Sequence, residues 1–285
     1  MALQYIIGTL FLAAGIIYAV YILKDAITDK AAFNAQPGNL KVIMIAETIV
    51  YFFCTIGISD FVMNTITIRR LKLAEPETLP DCLITAGIVP GAFISFLYMR
   101  NAGAMDNLTL LVFIICLAVG SFLGSRAVGQ MKGETIRRAM VALLSLSVLV
   151  LIARMVMTQG AANTEIALRG AKLVILALTT LVFGFTNMLG IPAKPFLTTA
   201  LLLLGLSPIA TLALILGAVP ISVVTGGINV VRRKRYNKKH AVSAVTAGCA
   251  AAFVGCMLAI SLNAAALNVI LIAVIIVAII SLIKK

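Results

Sequence analysis

The stretch Asn187-Met188-Leu189-Gly190-Ile191-Pro192-Ala193-Lys194-Pro195 separates two apolar runs, residues 173–185 and 196–204. Gly190 and Pro192 end a helix, because glycine loses the most conformational entropy on folding and proline lacks an amide hydrogen. Pro192 also suits the first position of a new helix. A helix from Pro192 to the end of the second run rises only about 20 Å, which is less than the roughly 30 Å of a hydrocarbon layer. The stretch therefore predicts a helix broken inside a membrane, as at the binding sites of secondary transporters.

The composition is that of a polytopic α-helical membrane protein. Of the 285 residues, 62% are hydrophobic and 12% are charged, and the mean hydropathy is +1.12. The apolar runs are continuous, whereas a transmembrane β-barrel needs short alternating strands. The net charge of +13 includes six cations in the segment 232–239. The positive-inside rule accounts for that segment, so nucleic acid is not an expected partner.

The apolar runs predict one transmembrane domain, 1–285, with an N-terminal unit and two repeats. The unit 1–41 consists of a first membrane helix, 2–23, and an interfacial loop. The helix lacks the basic start and cleavage site of a signal peptide. Repeat 1 covers 42–157 and repeat 2 covers 168–285. The remaining spans are predicted at 42–53 with 61–68, 80–99, 108–128, 139–156, 173–204, 209–231, 241–262 and 265–283.

An internal duplication relates the two repeats. Leu83 to Pro90 aligns with Ala213 to Pro220 at an offset of 130, and Ser95 then meets Thr225. With a gap of three residues, the segment around Gly57 aligns with the one around Gly190, so the first repeat has a break of its own.

Equivalent loops carry opposite charge bias, which predicts inverted repeats, each a broken-helix hairpin plus three transmembrane helices. The loop 126–138 is basic and its counterpart 261–265 is not, whereas 232–239 is basic and its counterpart 100–106 is nearly neutral. The predicted topology in the cell membrane has the N-terminus outside and Lys284 and Lys285 in the cytoplasm.

Two helices that start at the bilayer midplane would present unpaired amides and positive dipole ends to one shared pocket, which favours an anion. Ser59 and Asp60 are placed to cap the first helix, and Lys194 adds a positive charge to the second. A lysine at this depth needs a partner. That partner is an anionic substrate, or alternatively Asp60 or Glu47 as an ion-pair or proton-coupling group. Further candidates for substrate binding are Gly57, Asn187, Gly190, Pro192, Ser95 and Thr225.

Structural explanations also exist for these residues. Lys194 could extend from a shallow hairpin to the lipid headgroups. Asp60 could act only as a helix cap, and Glu47 could face the interfacial region, because helix starts are uncertain by a few residues. Pro90 and Pro220 could be packing kinks.

No residue pattern predicts an enzyme, a metal site or a cofactor. The single histidine, His240, ends the basic segment, whereas an intramembrane metalloenzyme or a Ser-His hydrolase needs histidine in its core. The five cysteines lack metal-ligand spacing, and no P-loop is present. The expected partners are a small anion, the lipid bilayer and a coupling ion that is a proton or sodium. A homodimer is one option for the oligomeric state.

From about Ala46 onward the chain resembles the TauE/SafE sulfite-exporter family of membrane transporters. The resemblance is carried by the two breaks, Gly57-Ile58-Ser59-Asp60 and Gly190-Ile191-Pro192-Ala193-Lys194, and by helices with closely spaced small residues. Those small residues are Gly120 with Gly124 before Arg126, and Gly255 with Ala259. The resemblance implies export or exchange of sulfite, sulfonates or related organic anions. The glycine clusters of that family are replaced here by Ser-Asp and Pro-Ala-Lys-Pro, so the substrate could differ from sulfite.

The sequence therefore favours a secondary anion transporter in which the two repeats rock about the midplane breaks to give alternating access. An anion channel on the same frame is the alternative.

Overall fold

The computed structural model describes residues 2–101, 105–130, 134 and 164–261. Within these residues the chain is helical, and the only pairing of extended backbone is an isolated bridge between Glu165 and Leu206. The helices are α1 (Ala2–Thr28), α2 (Lys30–Ala35), α3 (Leu40–Cys54), α4 (Asp60–Arg70), α5 (Leu79–Asn101), α6 (Asn107–Val128), α7 (Ala171–Asn187), α8 (Ala193–Leu203), α9 (Pro208–Ala218), α10 (Ile221–Arg233), α11 (Lys238–Ser243) and α12 (Cys249–Ser261). A π-helical turn, Ala244–Gly248, joins α11 to α12. The predicted spans 139–156 and 265–283, the cations of the loop 126–138 beyond Arg126, and the C-terminus lie outside the described residues.

Among the described residues, five helical segments are long and apolar enough to cross a membrane. They are Ala2–Thr28, Leu79–Asn101, Asn107–Val128, Pro208–Arg233 and Lys238–Ala259. Large apolar side chains cover exposed faces of several helices, for example Val174 and Leu178 on α7 and Val254 on α12. Such faces suit contact with lipid, and the architecture is compatible with a multi-pass membrane protein.

One predicted boundary was wrong. The first helix does not end at residue 23, since α1 continues to Thr28. The continuation is stabilised by the buried Asp25, whose carboxylate accepts a hydrogen bond from the hydroxyl of Tyr236. The predicted span 209–231 agrees with the apolar segment Pro208–Arg233, in which Pro220 separates α9 from α10, whereas Pro90 lies inside α5 without ending it.

The two helix breaks share one backbone pattern. Residues of the second break lie 133 positions after their counterparts in the first, so that Gly57 corresponds to Gly190, and both glycines have positive φ, 96° and 84°. At this offset the turn hydrogen bonds also match: the N–H of Gly57 donates to Cys54 and that of Gly190 donates to Asn187. The short helices α4 and α8 each have 11 residues and begin and end at the same offset. The glycines are required here because other residues rarely adopt this conformation.

The two breaks are entered from different ends of the helix bundle. Asn237, beside the basic segment 232–239, donates hydrogen bonds to the carbonyls of Pro37, before α3, and Leu73, after α4. The start of α7 instead lies beside the start of α6, where Arg169 forms an ion pair with Asp106. The opposite end of α6 lies near the basic segment, since Ser125 accepts a hydrogen bond from Arg233.

The end of α8 lies on the same side as Arg169. The bridge between Glu165 and Leu206 holds the residues after α8 to those before α7. The residues before α3 and after α4 thus lie beside the basic segment, whereas those before α7 and after α8 lie on the side of Asp106.

Glycines bring two helix pairs into close contact. A side chain on Gly120 or Gly124 of α6 would collide with the backbone carbonyl of Leu181 or Phe185 on α7. In α12, a Cβ atom on Gly255 would lie 2.9 Å from the carbonyl oxygen of Phe52 on α3. Small residues at such positions let helix backbones approach closely, so α6 with α7 and α12 with α3 form tightly packed pairs.

Replacing Gly120 with alanine is expected to destabilise the protein, because the added methyl group meets the backbone of α7, which cannot move aside. Overpacking of this kind costs about 1–3 kcal/mol. Gly91→Ala is the matched control, since its Cβ atom would be 3.4 Å from the nearest atom, in Pro220. Thermal unfolding in detergent should show a lower melting temperature for Gly120→Ala than for Gly91→Ala. Equal melting temperatures would contradict the close packing of α6 on α7.

Candidate functional site

The helix ends at both breaks are joined by capping contacts at equivalent positions. The Asn187 side-chain carbonyl, at the end of α7, accepts a hydrogen bond from the N–H of Ala193, the first residue of α8, at 3.3 Å. Its amide nitrogen donates to Ser222 Oγ at 2.8 Å. At the first break, Cys54 occupies the position of Asn187, and its thiol lies close to the backbone of Asp60, the first residue of α4. Each break is thereby closed by the last side chain of the preceding helix.

Ser59 does not cap α4 as predicted. It stands at the N-cap position, but its side chain makes no capping hydrogen bond. The Oγ atom is buried and has no hydrogen-bond partner among the described residues. Asp60 is the first helical residue, where a carboxylate is favoured by the helix dipole.

Lys194 lies against Asp60, so the first turns of α8 and α4 meet through an ion pair. The Nζ atom of Lys194 is 2.7 Å from Asp60 Oδ1 and 3.1 Å from Cys54 Sγ. The Lys194 and Asp60 side chains are only 12% and 11% exposed. Lys194 therefore does not extend to a headgroup surface, and of the predicted partners the structure places Asp60, and not Glu47, beside it.

A small cavity lies at this ion pair. The space inside it that the centre of a water-sized sphere can reach is about 20 Å³. This is enough for about one water molecule and too little for a sulfite or sulfonate ion. Both breaks contribute to its wall, together with residues from the middle of α5 and the junction of α9 and α10. The lining residues are Cys54, Ser59, Asp60, Phe61, Gly87, Gly91, Ile94, Asn187, Pro192, Ala193, Lys194, Leu216, Val219, Pro220, Ser222 and Val223. Because the cavity is too small for such an anion, we call this conformation closed.

The structure brings together only part of the predicted binding set. Lys194, Asp60, Ser59, Asn187 and Pro192 line the cavity. The remaining four predicted residues do not line it: Gly57, Gly190, Ser95 and Thr225.

The four predicted residues that do not line the cavity make other contacts. Gly57 and Gly190 shape the breaks. The hydroxyl of Ser95 donates to the carbonyl of Gly217, and that of Thr225 pairs with Ser121 at 2.7 Å. Ser95 and Thr225 thus hold helices together. Two lining residues that sequence reasoning missed, Cys54 and Ser222, carry no recognisable motif.

His240 lies inside the protein, which corrects its placement at the end of a solvated loop. Its side chain is fully buried, and Nε2 is 2.9 Å from Glu47 Oε1 and 3.3 Å from Asn64 Oδ1. The argument against histidine chemistry from an exposed His240 was therefore wrong. Glu47 is equally buried, so it does not face the interfacial region. Within the described residues, no group of three or more histidine, cysteine or acidic side chains is placed to hold a metal ion.

Much of the basic segment is held by acidic residues of α1 and α5. Asp81 pairs with Arg233 and Arg235 at 2.7 and 3.0 Å. Asp25 pairs with Lys234 at 2.8 Å, and Asp29 pairs with Lys238 at 2.9 Å. The segment is thus a docked element whose cations are largely neutralised within the protein.

These contacts also shift ionisation equilibria outside the membrane spans. The hydrogen bond from Lys234 to Asp25 raises the pKa of the lysine. The hydrogen bond from Lys238 lowers the pKa of Asp29, and burial raises the pKa of Tyr236. At neutral pH Lys234 and Asp29 are therefore charged and Tyr236 is neutral.

Comparison with known protein families, with curated proteins and with solved structures finds no significant match for this chain. The resemblance to the TauE/SafE family stays a prediction, and the function is argued from the site.

Proposed function

We propose that the protein is a secondary transporter of small anions, with the ion pair of Lys194 and Asp60 at the centre of its substrate site. The observation that carries the proposal is the buried meeting of two helix starts around one closed cavity. Lys194 occupies the first turn of α8, the positive end of the helix dipole, where a cation is unfavourable. A lysine at that position strengthens the attraction for an anion, which makes a purely structural role a poor explanation.

Asp60 then competes with the substrate for the ammonium group of Lys194. In the closed conformation its carboxylate holds the ammonium group of Lys194. A substrate anion takes that position when the cavity opens and Asp60 loses its negative charge or moves away. Ser59 Oγ, which is buried without a partner in the described residues, is a hydroxyl donor ready for the same anion.

Two inverted repeats are supported by reciprocal packing. Gly124 of α6 contacts Phe185 of α7, and Gly255 of α12 contacts Phe52 of α3. Phe185 follows Phe52 by the 133 positions that relate the breaks. Gly255 follows Gly124 by 131 positions, the offset that also relates the helix caps Asp106 and Asn237. When each repeat contacts the other through equivalent residues, the two repeats are related by a two-fold axis.

The orientation of that axis follows from the chain ends. The first break is entered from the basic end of the bundle and the second from the Asp106 end. The repeats are therefore related by an axis in the membrane plane, as in inverted-repeat transporters. With the basic segment in the cytoplasm, α1 begins outside. Sulfite and sulfonates are the substrate class implied by the TauE/SafE resemblance.

Alternating access is favoured over an anion channel by the closed cavity, which has room for about one water. The close contacts of α6 with α7 and of α12 with α3 suggest that the moving bodies mix helices from both repeats, because separating either pair would break a tight interface. This differs from a motion in which the two repeats rock as units.

The test is transport by purified protein in liposomes. Vesicles loaded with unlabelled methanesulfonate or sulfite should take up the labelled anion by counterflow, whereas labelled choline should not enter. The same anions at about 100 times their dissociation constant should stabilise the folded protein by about 2.7 kcal/mol, which a thermal-shift measurement detects. The absence of both counterflow and stabilisation with sulfite, sulfonates and carboxylates would refute an anion site.

A further inference from the structure

Two buried polar stripes connect the candidate substrate site to His240. On α3, Glu47, Tyr51 and Cys54 are spaced by four and three residues, so they share one face, and all three are buried. On α4, Asp60 and Asn64 share a face in the same way. At one end both stripes reach His240, through Glu47 and Asn64. At the other end both reach Lys194, through Cys54 and Asp60. Seven helical residues separate the ends of the α3 stripe, about 10 Å along the axis.

The route contains buried polar atoms that lack a hydrogen-bond partner in the described part of the chain. They are Glu47 Oε2, His240 Nδ1 and the hydroxyl oxygen of Tyr51. Tyr51 lies between the two acids, close enough to Glu47 and to Asp60 for both carboxylates to act on it electrostatically. Leaving a buried polar atom unpaired costs about 1–3 kcal/mol, so three on one route need a functional explanation.

The second repeat shows that the fold does not need these side chains. At the offset of 133 residues, Glu47 corresponds to Thr180, Tyr51 to Gly184 and Asn64 to Leu197. At the offset of 131 that relates α6 to α11 and α12, His240 corresponds to Thr109. The same backbone arrangement is therefore built without an ionisable group at any of these positions, and the acid–base cluster is confined to one side of the proposed two-fold axis.

We propose that His240, Glu47 and Tyr51 form a proton route to Asp60, and that a proton is the coupling ion of the proposed anion transporter. The inference rests on the proposed function. A proton binds His240 at Nδ1, and the Nε2 proton passes to Glu47 Oε1. Glu47 then donates to the Tyr51 oxygen while the phenol gives its own proton towards Asp60. Steps longer than a hydrogen bond cross a bridging water. One proton is taken up by His240 and one arrives on Asp60. Glu47 and Tyr51 regain their starting protonation, whereas His240 is left with its proton on Nδ1, so the ring must reorient or exchange protons with water before the next transfer.

Protonation of Asp60 explains how the ion pair would open. Neutral Asp60 no longer attracts Lys194, which keeps its charge and becomes available to the substrate. One proton and one monovalent anion then move together without net charge. Sodium fits the cluster less well, because hard cations take several oxygen ligands, and the closest contact of Glu47 here is an imidazole nitrogen.

The other charged groups near His240 are already engaged. Asp25 of α1 pairs with Lys234, and Asp29, the N-cap of α2, pairs with Lys238. From α5, Asp81 pairs with two arginines, and the Cys82 sulfur accepts a hydrogen bond from the N–H of Asn237. From α12, the thiol of Cys249 lies near Tyr51. Glu47 is thus the acid that His240 contacts directly.

The experiment compares the wild type with Glu47→Gln and, as a matched control, Glu75→Gln, an exposed residue of the loop between α4 and α5. Liposomes are given labelled methanesulfonate, which stays ionised at every pH used, with the outside about one pH unit more acidic. Coupling of one proton to one anion predicts about tenfold accumulation, insensitive to membrane potential. Glu47→Gln should abolish this accumulation and slow counterflow, because Asp60 loses its proton source, while an unchanged melting temperature shows that the variant is folded. Glu75→Gln should behave as the wild type.

The proton route would be overturned if Glu47→Gln accumulated methanesulfonate as the wild type does. It would also be overturned if accumulation by the wild type did not depend on the pH gradient.

A second measurement does not depend on the substrate. Infrared difference spectra of the wild type between acid and alkaline pH should contain a protonated-carboxyl band that Glu47→Gln lacks. If no anion exchanges at all, the proposed function fails for these anions, and the infrared band alone decides whether Glu47 binds a proton.

Discussion

Replacing Lys194 with methionine is expected to reduce anion transport by about 30-fold or more, because losing one partner of a buried charge contact costs about 2–5 kcal/mol. Methionine keeps the length of the stem and removes only the charge. Counterflow of methanesulfonate in liposomes measures the loss. Lys172→Met is the matched control, since Lys172 pairs with Glu165 in a contact where both side chains are 46% exposed. That control should transport as the wild type does.

The effect on stability separates substrate binding from a structural role. Lys194→Met leaves Asp60 buried without its partner, which costs about 3–5 kcal/mol when the charge stays. The double variant Lys194→Met with Asp60→Asn removes both charges and should recover most of the melting temperature. It should still fail to transport, because no cation remains for the substrate. Transport by the stable double variant would show that the pair only holds α4 and α8 together.

The break at Gly190 was predictable because its cause is local. Glycine at positive φ and proline without an amide hydrogen end a helix in any environment, and the structure places α7 and α8 on either side of it. The first break was predicted from the polar interruption between the apolar runs 42–53 and 61–68, and its similarity to the second break supported it. In both cases the residue type fixed the backbone before any tertiary contact was considered.

The position of His240 was not predictable in the same way. Its neighbours in the sequence are cations, which indicate a solvated loop, yet Asp25, Asp29 and Asp81 neutralise them from distant parts of the chain. Asn237 then caps α11 by accepting a hydrogen bond from the N–H of His240, and the helix carries the imidazole into the core. The local signal was this cap, but the burial of His240 depended on ion pairs between residues that are 152 to 209 positions apart.

Ser95 and Thr225 illustrate a third limit. Their matching positions in the two repeats suggested a shared pocket, whereas each hydroxyl is used in helix packing. Duplication preserves structural contacts as faithfully as functional ones. A repeat therefore locates equivalent positions without saying which of them face a substrate.

A disulfide between α5 and α10 is expected to stop transport almost completely. A Cβ atom on Gly91 would lie 3.4 Å from the Cβ atom of Pro220, close to the roughly 3.5–4.5 Å that disulfides span. The variant Gly91→Cys with Pro220→Cys joins the repeats beside the cavity, where any change of access must move one helix relative to the other. Oxidation should lower counterflow by at least about tenfold, since an access change blocked by even 1.4 kcal/mol slows tenfold. Reduction should restore it.

This cross-link also separates a transporter from a channel. The oxidised and reduced proteins differ by two hydrogen atoms, so the space around Lys194 is nearly the same in both. A channel conducts without moving α5 against α10, and its anion flux would persist after oxidation, whereas alternating access requires the movement. Each single-cysteine variant, treated with the same oxidant, controls for the native thiols and for the loss of Pro220. Flux that survives a complete cross-link would therefore exclude alternating access at this interface and favour an anion channel built on the same helices.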